Sequence, residues 1–510
     1  MLLAGAVPVL RRPDQLRRRR PGVRRCLLAV PGRAVHLPVR HRDRRVDPGG
    51  AAQGAHRTLL AAARPWRRTT VEALLELTTP SPSSHRFAAR DVPAVHAAIA
   101  APGALQRERR ALYQLAAELL EHGDPPVLDL DVIDSPLTRH QIGDALAGHA
   151  SLVCSTLVGI SALADSGCAA HELRVASRPE ANVLLAAALR NVGAGLDAQH
   201  AAVGPPALLT DVDGERFRSA LAVLRDGVAL ARSVSPELID DLLAHITLVG
   251  VIDPQRAGPL VSASPRSYPG LVLLRAPRSN IEVAEALVHE GAHQKLFDLA
   301  ITHDLLTADS DRCPPFHPPW APSRRRWPLE QTLAAYHAYA CLARFGDDAG
   351  VTAGSRASNP ESLLPVAADR SRILGHWLLD QGDHLGTDAH LLLDGLMGRR
   401  PSASRAAASR SGAIAADYVI DDPLEFRRYG SSDRVLVGRP SHPPQFYWVS
   451  DDAATALELL AHESVDDVAR TFARRWRIPQ FDATDRLSGL LSDLYVTGLL
   501  KIRGTAGVRP

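Results

Sequence analysis

One pentad constrains this 510-residue chain more than any other feature: His289-Glu290-Gly291-Ala292-His293. Two histidines four apart share a face only on an α-helix, so both imidazoles can serve one metal ion only if this segment is helical. Asn280 has the character of a cap, and the apolar residues after it predict a helix over Ile281–Leu299 that carries the pentad. Upstream, a polar stretch with Ser262, Ser264 and Ser267 ends at Pro269-Gly270, and Leu271-Val272-Leu273-Leu274 is short and apolar enough for a buried strand. Metal-dependent peptidases use the same strand–helix order, with a strand that can pair with an extended peptide.

The rest of the chain reads mostly as helix. Apolar residues recur at helical spacing in Leu112–Glu121, Ile142–Ala164, Glu180–Val192, Arg216–Ser233 and Pro236–Val249, and again in Pro328–Phe345, Ser371–Leu379 and Thr387–Leu396. Pro401–Ala413, rich in Ser, Ala and Arg, reads as a linker. Beyond it, strands near Arg434–Gly438 and Gln445–Val449 precede helices over Ala453–His462, Val465–Trp476 and Thr484–Leu499, the middle one capped by Ser464. The fold class expected is α+β and predominantly α-helical. A metal-binding catalytic domain over 71–400 is joined through 401–413 to a small winged-helix-like domain over 414–510.

Charge bears on partners. Lys and Arg number 59 and Asp and Glu 56, but residues 1–70 alone hold 17 Arg against Asp14, Asp43 and Asp47. The remainder therefore has 59 − 17 = 42 basic and 56 − 3 = 53 acidic residues, a net of −11. An acidic body argues against nonspecific nucleic-acid binding, which needs surplus cations for phosphates. Arg11-Arg12 and Arg17–Arg20 suggest a twin-arginine signal or a nucleic-acid arm, yet the apolar stretch from Cys26 to Val30 is too short for a secretory segment. Residues 1–70 lack periodicity, so they are expected to be a disordered tail or a wrongly extended start, with the functional chain beginning near Val71. The five cysteines show no CxxC spacing, and no apolar run reaches membrane-spanning length. A cytoplasmic protein without a membrane partner is expected.

Two histidines need a third protein ligand. The metzincin continuation demands Gly and His where Leu296 and Leu299 stand, and His303 falls past the helix. The helix over Pro328–Phe345 offers His337, which gives a three-nitrogen site, and Glu330 on the same face, which gives two His and one carboxylate. His337 is the preferred candidate.

The stretch Leu287-Val288-His289-Glu290-Gly291-Ala292-His293-Gln294-Lys295-Leu296 resembles a bacterial family of HExxH proteins encoded beside modified-peptide pathways. The likeness takes in Pro269-Gly270, Pro319-Trp320, Arg326-Trp327-Pro328-Leu329-Glu330, Tyr336-His337-Ala338 and Gly382-Asp383-His384-Leu385, over residues 71–400. That family looks like iron(II)- and 2-oxoglutarate-dependent peptide β-hydroxylases. The resemblance implies that His289, His293 and His337 hold Fe(II), that 2-oxoglutarate chelates it, and that a cation holds the distal carboxylate. Arg326 is the candidate for that cation, because its planar fork matches a carboxylate. Glu290 would then orient a ligand or dioxygen, whereas in a zinc metallopeptidase it would be the general base on metal-bound water. The C-terminal pattern, Phe446-Tyr447-Trp448-Val449 followed by Ala453–Leu460, Val465–Phe472 and Leu490–Leu500, resembles leader-peptide-recognition domains. The implied function is β-hydroxylation of a ribosomally made precursor peptide bound through its leader. The alternative is a zinc metallopeptidase processing such a precursor. A third reading is a peptide-binding or transcriptional protein with a vestigial pentad.

Overall fold

A computed structural model describes residues 23–26, 91–101, 103–121, 127–194, 206–257, 260–321, 326–351, 361–399, 418–420, 423–428, 434–441 and 443–502. They are mostly helical, with a few small sheets. Among the described residues, no helix is long and apolar enough to cross a membrane.

The first helices are α1 (Val92–Ile99), α2 (Ala104–Leu120) and α3 (Pro136–Leu146). The helix expected over Ile142–Ala164 therefore ends early, because Gly148 turns the chain with a left-handed φ of 72°. Two short helices, Glu180–Leu184 and Ala186–Ala194, stand where one was expected. Helices α4 (Glu215–Val234) and α5 (Pro236–Leu243) follow, and then the chain departs again from helical periodicity. Leu248–Ile252, expected in part as helix, is strand β2; its β-branched run suits a pleated, buried surface.

Strands β3 (Ser262–Ala263) and β4 (Leu271–Arg275) complete a three-stranded sheet in the order β2-β4-β3. Strand β4 runs parallel to β2 and antiparallel to β3. Side chains alternate between two layers: Val249, Val251, Val272 and Leu274 enter the main core, while Leu248, Ile252, Leu271 and Leu273 enter a second one. Both edges of β4 are thus taken along Leu273–Leu274, which corrects the expectation that this strand is open to an extended peptide.

The pentad lies on α6 (Asn280–Thr302), whose cap is Ser279 rather than Asn280: the Ser279 hydroxyl accepts from the Glu282 amide. Helix α6 packs against α2, α4, α5 and α7 (Leu329–Asp348) and is buried almost all round. The crossing with α4 is close because Gly227 has no side chain; a Cβ there would lie 2.4 Å from that of Val283. Helices α8 (Leu364–Asp380) and α9 (Thr387–Met397) close this layer, α8 against α7 and α9 against α1.

The C-terminal sheet holds β5 (Glu425–Arg428), β6 (Arg434–Arg439) and β7 (Gln445–Ser450), followed by α10 (Asp451–Leu460), α11 (Val465–Trp476) and α12 (Gln480–Val496). One face, through Val435, Val437, Tyr447 and Val449, packs on those three helices. The other, through Leu436, Phe446 and Trp448, shares a core with Leu112, Leu115, Ile142 and Ile301 of the preceding helices. Arg434 lies over the Trp448 ring, 5.1 Å from its centroid, and Arg427 pairs with Glu118 of α2 at 2.7 Å. Both sheet faces are thus buried, one of them against α2, α3 and α6. The linker over 401–413 lies outside the described residues.

The edge of β7 is occupied as well. Strand β1 (Val23–Cys26) pairs antiparallel with it, from Val23 opposite Val449 to Cys26 opposite Phe446. These four residues are the described part of 1–70. They pair with the sheet, and the rest of 1–70 lies outside the described residues.

Candidate metal centre

A helix buried on every side must satisfy each polar side chain from within the protein. Helix α6 does so almost throughout. Glu285 accepts from the Ser362 hydroxyl at 2.7 Å. Gln294 accepts from the Gly270 amide at 2.7 Å and donates to the Leu271 carbonyl at 2.8 Å, fixing the turn into β4. Lys295 is paired with Asp241 of α5. Asp298 meets Arg109 of α2 and His245, each at 2.5 Å. Burial would raise the Asp298 carboxyl, but Arg109 and His245 hold it below the usual range.

The exceptions cluster in the pentad. Buried His289 Nδ1, His293 Nδ1 and Glu290 Oε2 have no hydrogen-bond partner among the described residues. The two imidazoles turn their Nε2 atoms to within 3.1 Å of each other. A Glu290 carboxylate oxygen and one ring nitrogen from each histidine lie within 4.8 Å of one another. Burial lowers the His293 pKa to about 4 and the His289 pKa well below its ordinary value, so both rings are neutral and present lone pairs. Burial also raises Glu290 to about 7, against the opposing hydrogen bonds of Ser262 and Ser264. Ser262, on β3, donates to Glu290 Oε1 at 2.6 Å, so the small sheet positions the carboxylate. Convergent neutral nitrogens with an orphaned carboxylate oxygen fit a divalent metal ion.

His337, the expected third ligand, is turned elsewhere. Its Nδ1 donates to the Ala292 carbonyl at 2.9 Å, and its Nε2 faces His96 Nε2 at 2.7 Å. Its donor atoms group with His96 and Cys341, apart from His289, Glu290 and His293. In this arrangement the third donor beside the two pentad histidines is Glu290. Glu330, the other expected ligand, is half-buried and ion-paired with Arg266.

Arg326 is exposed, and no contact ties it to the pentad. Another arginine is linked to the site through side-chain contacts. The Tyr339 ring lies edge-on to His289, with centroids 6.1 Å apart, and Arg370 Nη1 donates to the Tyr339 hydroxyl at 2.7 Å. The Arg370 guanidinium sits 5.0 Å from the Trp320 ring centroid and 5.4 Å from that of Tyr339. Phe316, Trp327 and Trp377 extend this wall, with Phe316–Trp377 centroids 5.4 Å apart. Among the described residues Arg370 has no carboxylate partner, whereas many other described arginines do, Arg109 and Arg139 among them. Nothing in its local sequence marked it: Arg370 comes from α8, and only packing on α7 brings it to Tyr339.

No protein-family model matches this chain, and no curated protein matches it.

Proposed function

We propose that the chain is an iron(II)- and 2-oxoglutarate-dependent β-hydroxylase of a ribosomally made precursor peptide, its metal at His289 and His293. The observation that carries this reading is Arg370, a cation with no carboxylate partner among the described residues, on the aromatic wall that reaches His289. A planar guanidinium beside a metal site is suited to hold the free carboxylate of a bidentate acid, a role that peptide hydrolysis does not require. Arg370 therefore takes the place proposed for Arg326.

When bound, iron with 2-oxoglutarate and dioxygen supplies the power to insert one oxygen into a carbon–hydrogen bond, with succinate and carbon dioxide released. The chain's own residues do the rest. His289, His293 and Glu290 would hold the ion, a two-histidine, one-carboxylate set that leaves positions open. Ser262 orients Glu290, and Trp320 and Tyr339 hold the Arg370 fork in place. A second reading, a zinc peptidase, is favoured by the place of Glu290, a buried carboxylate beside two neutral imidazoles, which suits a general base on bound water.

The C-terminal sheet supports peptide recognition by strand addition, since β7 accepts an antiparallel strand from this chain's own Val23–Cys26. A precursor leader would compete with that segment. The arginines of α11 do not favour a nucleic-acid face: Arg475 pairs with Asp451 and Asp452, and Arg470 with Asp467.

The test uses the full chain with Fe(II), 2-oxoglutarate, oxygen and a precursor encoded beside it. The expected product gains one oxygen atom and succinate appears. Arg370→Met should raise the 2-oxoglutarate KM at least tenfold with metal content unchanged, while Arg326→Ala leaves KM alone. His289→Ala and His293→Ala should each lose the metal of the pentad. Cleaved precursor, dependent on zinc and indifferent to 2-oxoglutarate, would establish the peptidase instead.

A further inference from the structure

A second cluster of donors lies beside the pentad, and its hydrogen bonds do not close. His96 of α1 has Nδ1 2.7 Å from Asp241 Oδ2, and its Nε2 faces His337 Nε2 at 2.7 Å. His337 Nδ1 lies 2.9 Å from the Ala292 carbonyl, and Cys341 Sγ stands 3.8 Å from His337 Nε2. His96, His337 and Cys341 are all buried, at 1%, 0% and 0% exposure.

Counting protons exposes the gap. A carbonyl oxygen can only accept, so His337 carries its proton on Nδ1. Asp241, paired with Lys295, is an ionised acceptor, so His96 also carries its proton on Nδ1. With both rings neutral, the two Nε2 lone pairs point at each other across 2.7 Å. Something positive must lie between them, a metal ion or a shared proton.

Two features favour the metal. Each Nδ1–H is tied to an oxygen acceptor, Asp241 for one ring and Ala292 for the other, which is how proteins orient imidazoles that bind metal through Nε2. The pentad histidines lack that support, so this pair is the more completely built of the two. Cys341 also follows His337 by four residues on α7, the helical spacing that brings His289 and His293 together. A thiol adds nothing to a shared proton, whereas a thiolate completes a ligand set.

We infer that His96, His337 and Cys341 hold a second metal ion, of the zinc class, through two Nε2 atoms and one thiolate. Binding releases the Cys341 proton. Tetrahedral zinc separates nitrogen and sulfur ligands by roughly 3.5 Å and two nitrogens by about 3.3 Å, so the rings part by about half an ångström. The ion pins α1 to α7 next to the pentad and leaves one position open. The inference does not rest on the hydroxylase reading, because the two ions have separate ligands.

The full chain, freed of metal and titrated with Co(II), is expected to take up two equivalents. One of them should bring the intense near-ultraviolet thiolate-to-cobalt band. Cys341→Ser should abolish that band and lose one equivalent, while the His289→Ala/His293→Ala double variant loses the other equivalent and keeps the band. A full chain that binds one equivalent without the band holds only a shared proton here, and the inference is overturned; so it is if the band survives Cys341→Ser. Should Cys341→Ser not fold, zinc-edge X-ray absorption of the double variant decides. A sulfur neighbour at about 2.3 Å supports the site, and nitrogen and oxygen alone, or no zinc, rejects it.

Discussion

Glu290 shows how one residue reports on its surroundings. Burial lifts its pKa from 4.5 to about 7, and the hydroxyls of Ser262 and Ser264 do not compensate for the lost water. In the metal-free chain this makes stability depend on pH with a definite sign. Below about pH 4.5 the carboxyl is protonated whether folded or unfolded, and nothing is lost. As pH rises from there to about 7, the unfolded chain ionises first, and stability falls by about 3 kcal/mol. Glu290→Gln, neutral throughout, should flatten that slope and stabilise the metal-free chain at pH 8 but not at pH 4. Urea midpoints of both proteins at the two pH values check this. Equal slopes would show that the carboxylate finds solvation the structure does not contain.

At the scale of elements, α6 is held by ion pairs that reach it from its neighbours. Asp298 ties it to Arg109 of α2 and to His245 just past α5, and Arg109 continues to Asp134, which also receives Arg110 and Arg139. Asp134 lies below the usual carboxylate range although burial opposes it, because the three arginines outweigh desolvation. Asp298→Asn leaves Arg109 and Arg139 buried with one anion fewer. It should cost about 3 kcal/mol or more, read as a lower urea midpoint at pH 7. Asp309→Asn, whose partner Arg312 is exposed, should cost less than about 1 kcal/mol. A cost for Asp298→Asn as small as that of Asp309→Asn would mean that this network does not anchor the helix.

At the scale of the whole molecule, the C-terminal sheet is structural as well as a candidate recognition surface. Leu436, Phe446 and Trp448 cover Leu112, Leu115 and Ile301, so a chain ending at residue 413 would expose that apolar face. The full chain is expected to unfold with its C-terminal part in one cooperative step. The truncated chain should unfold at least about 5 °C lower or aggregate. Differential scanning calorimetry distinguishes this from an independent module, for which truncation would leave the main transition and the bound metal unchanged.

The sequence by itself determined the local features. The 3.6-residue repeat located α2, α4, α6 and α7, Ser464 located the start of α11, and the i,i+4 spacing required His289 and His293 to share a face. These depend on neighbours within one or two turns, which a sequence displays directly. The overextended helix after Ile142 and the unforeseen strand Leu248–Ile252 failed where a glycine turn and a parallel partner strand override periodicity. Contacts between distant segments were decided only by the tertiary structure. Spacing put His337 on one helix face with Glu330, yet which nitrogen meets which partner depends on His96, 241 residues away. Arg370 reaches Tyr339 only across the α7–α8 packing, and Asp241 reaches Lys295 only where α5 crosses α6. The sheet at Val23–Cys26 joins the two ends of the described chain. An interaction between residues hundreds of positions apart leaves no period in a single sequence, because it is set by how helices and strands pack and not by the order in which they are made.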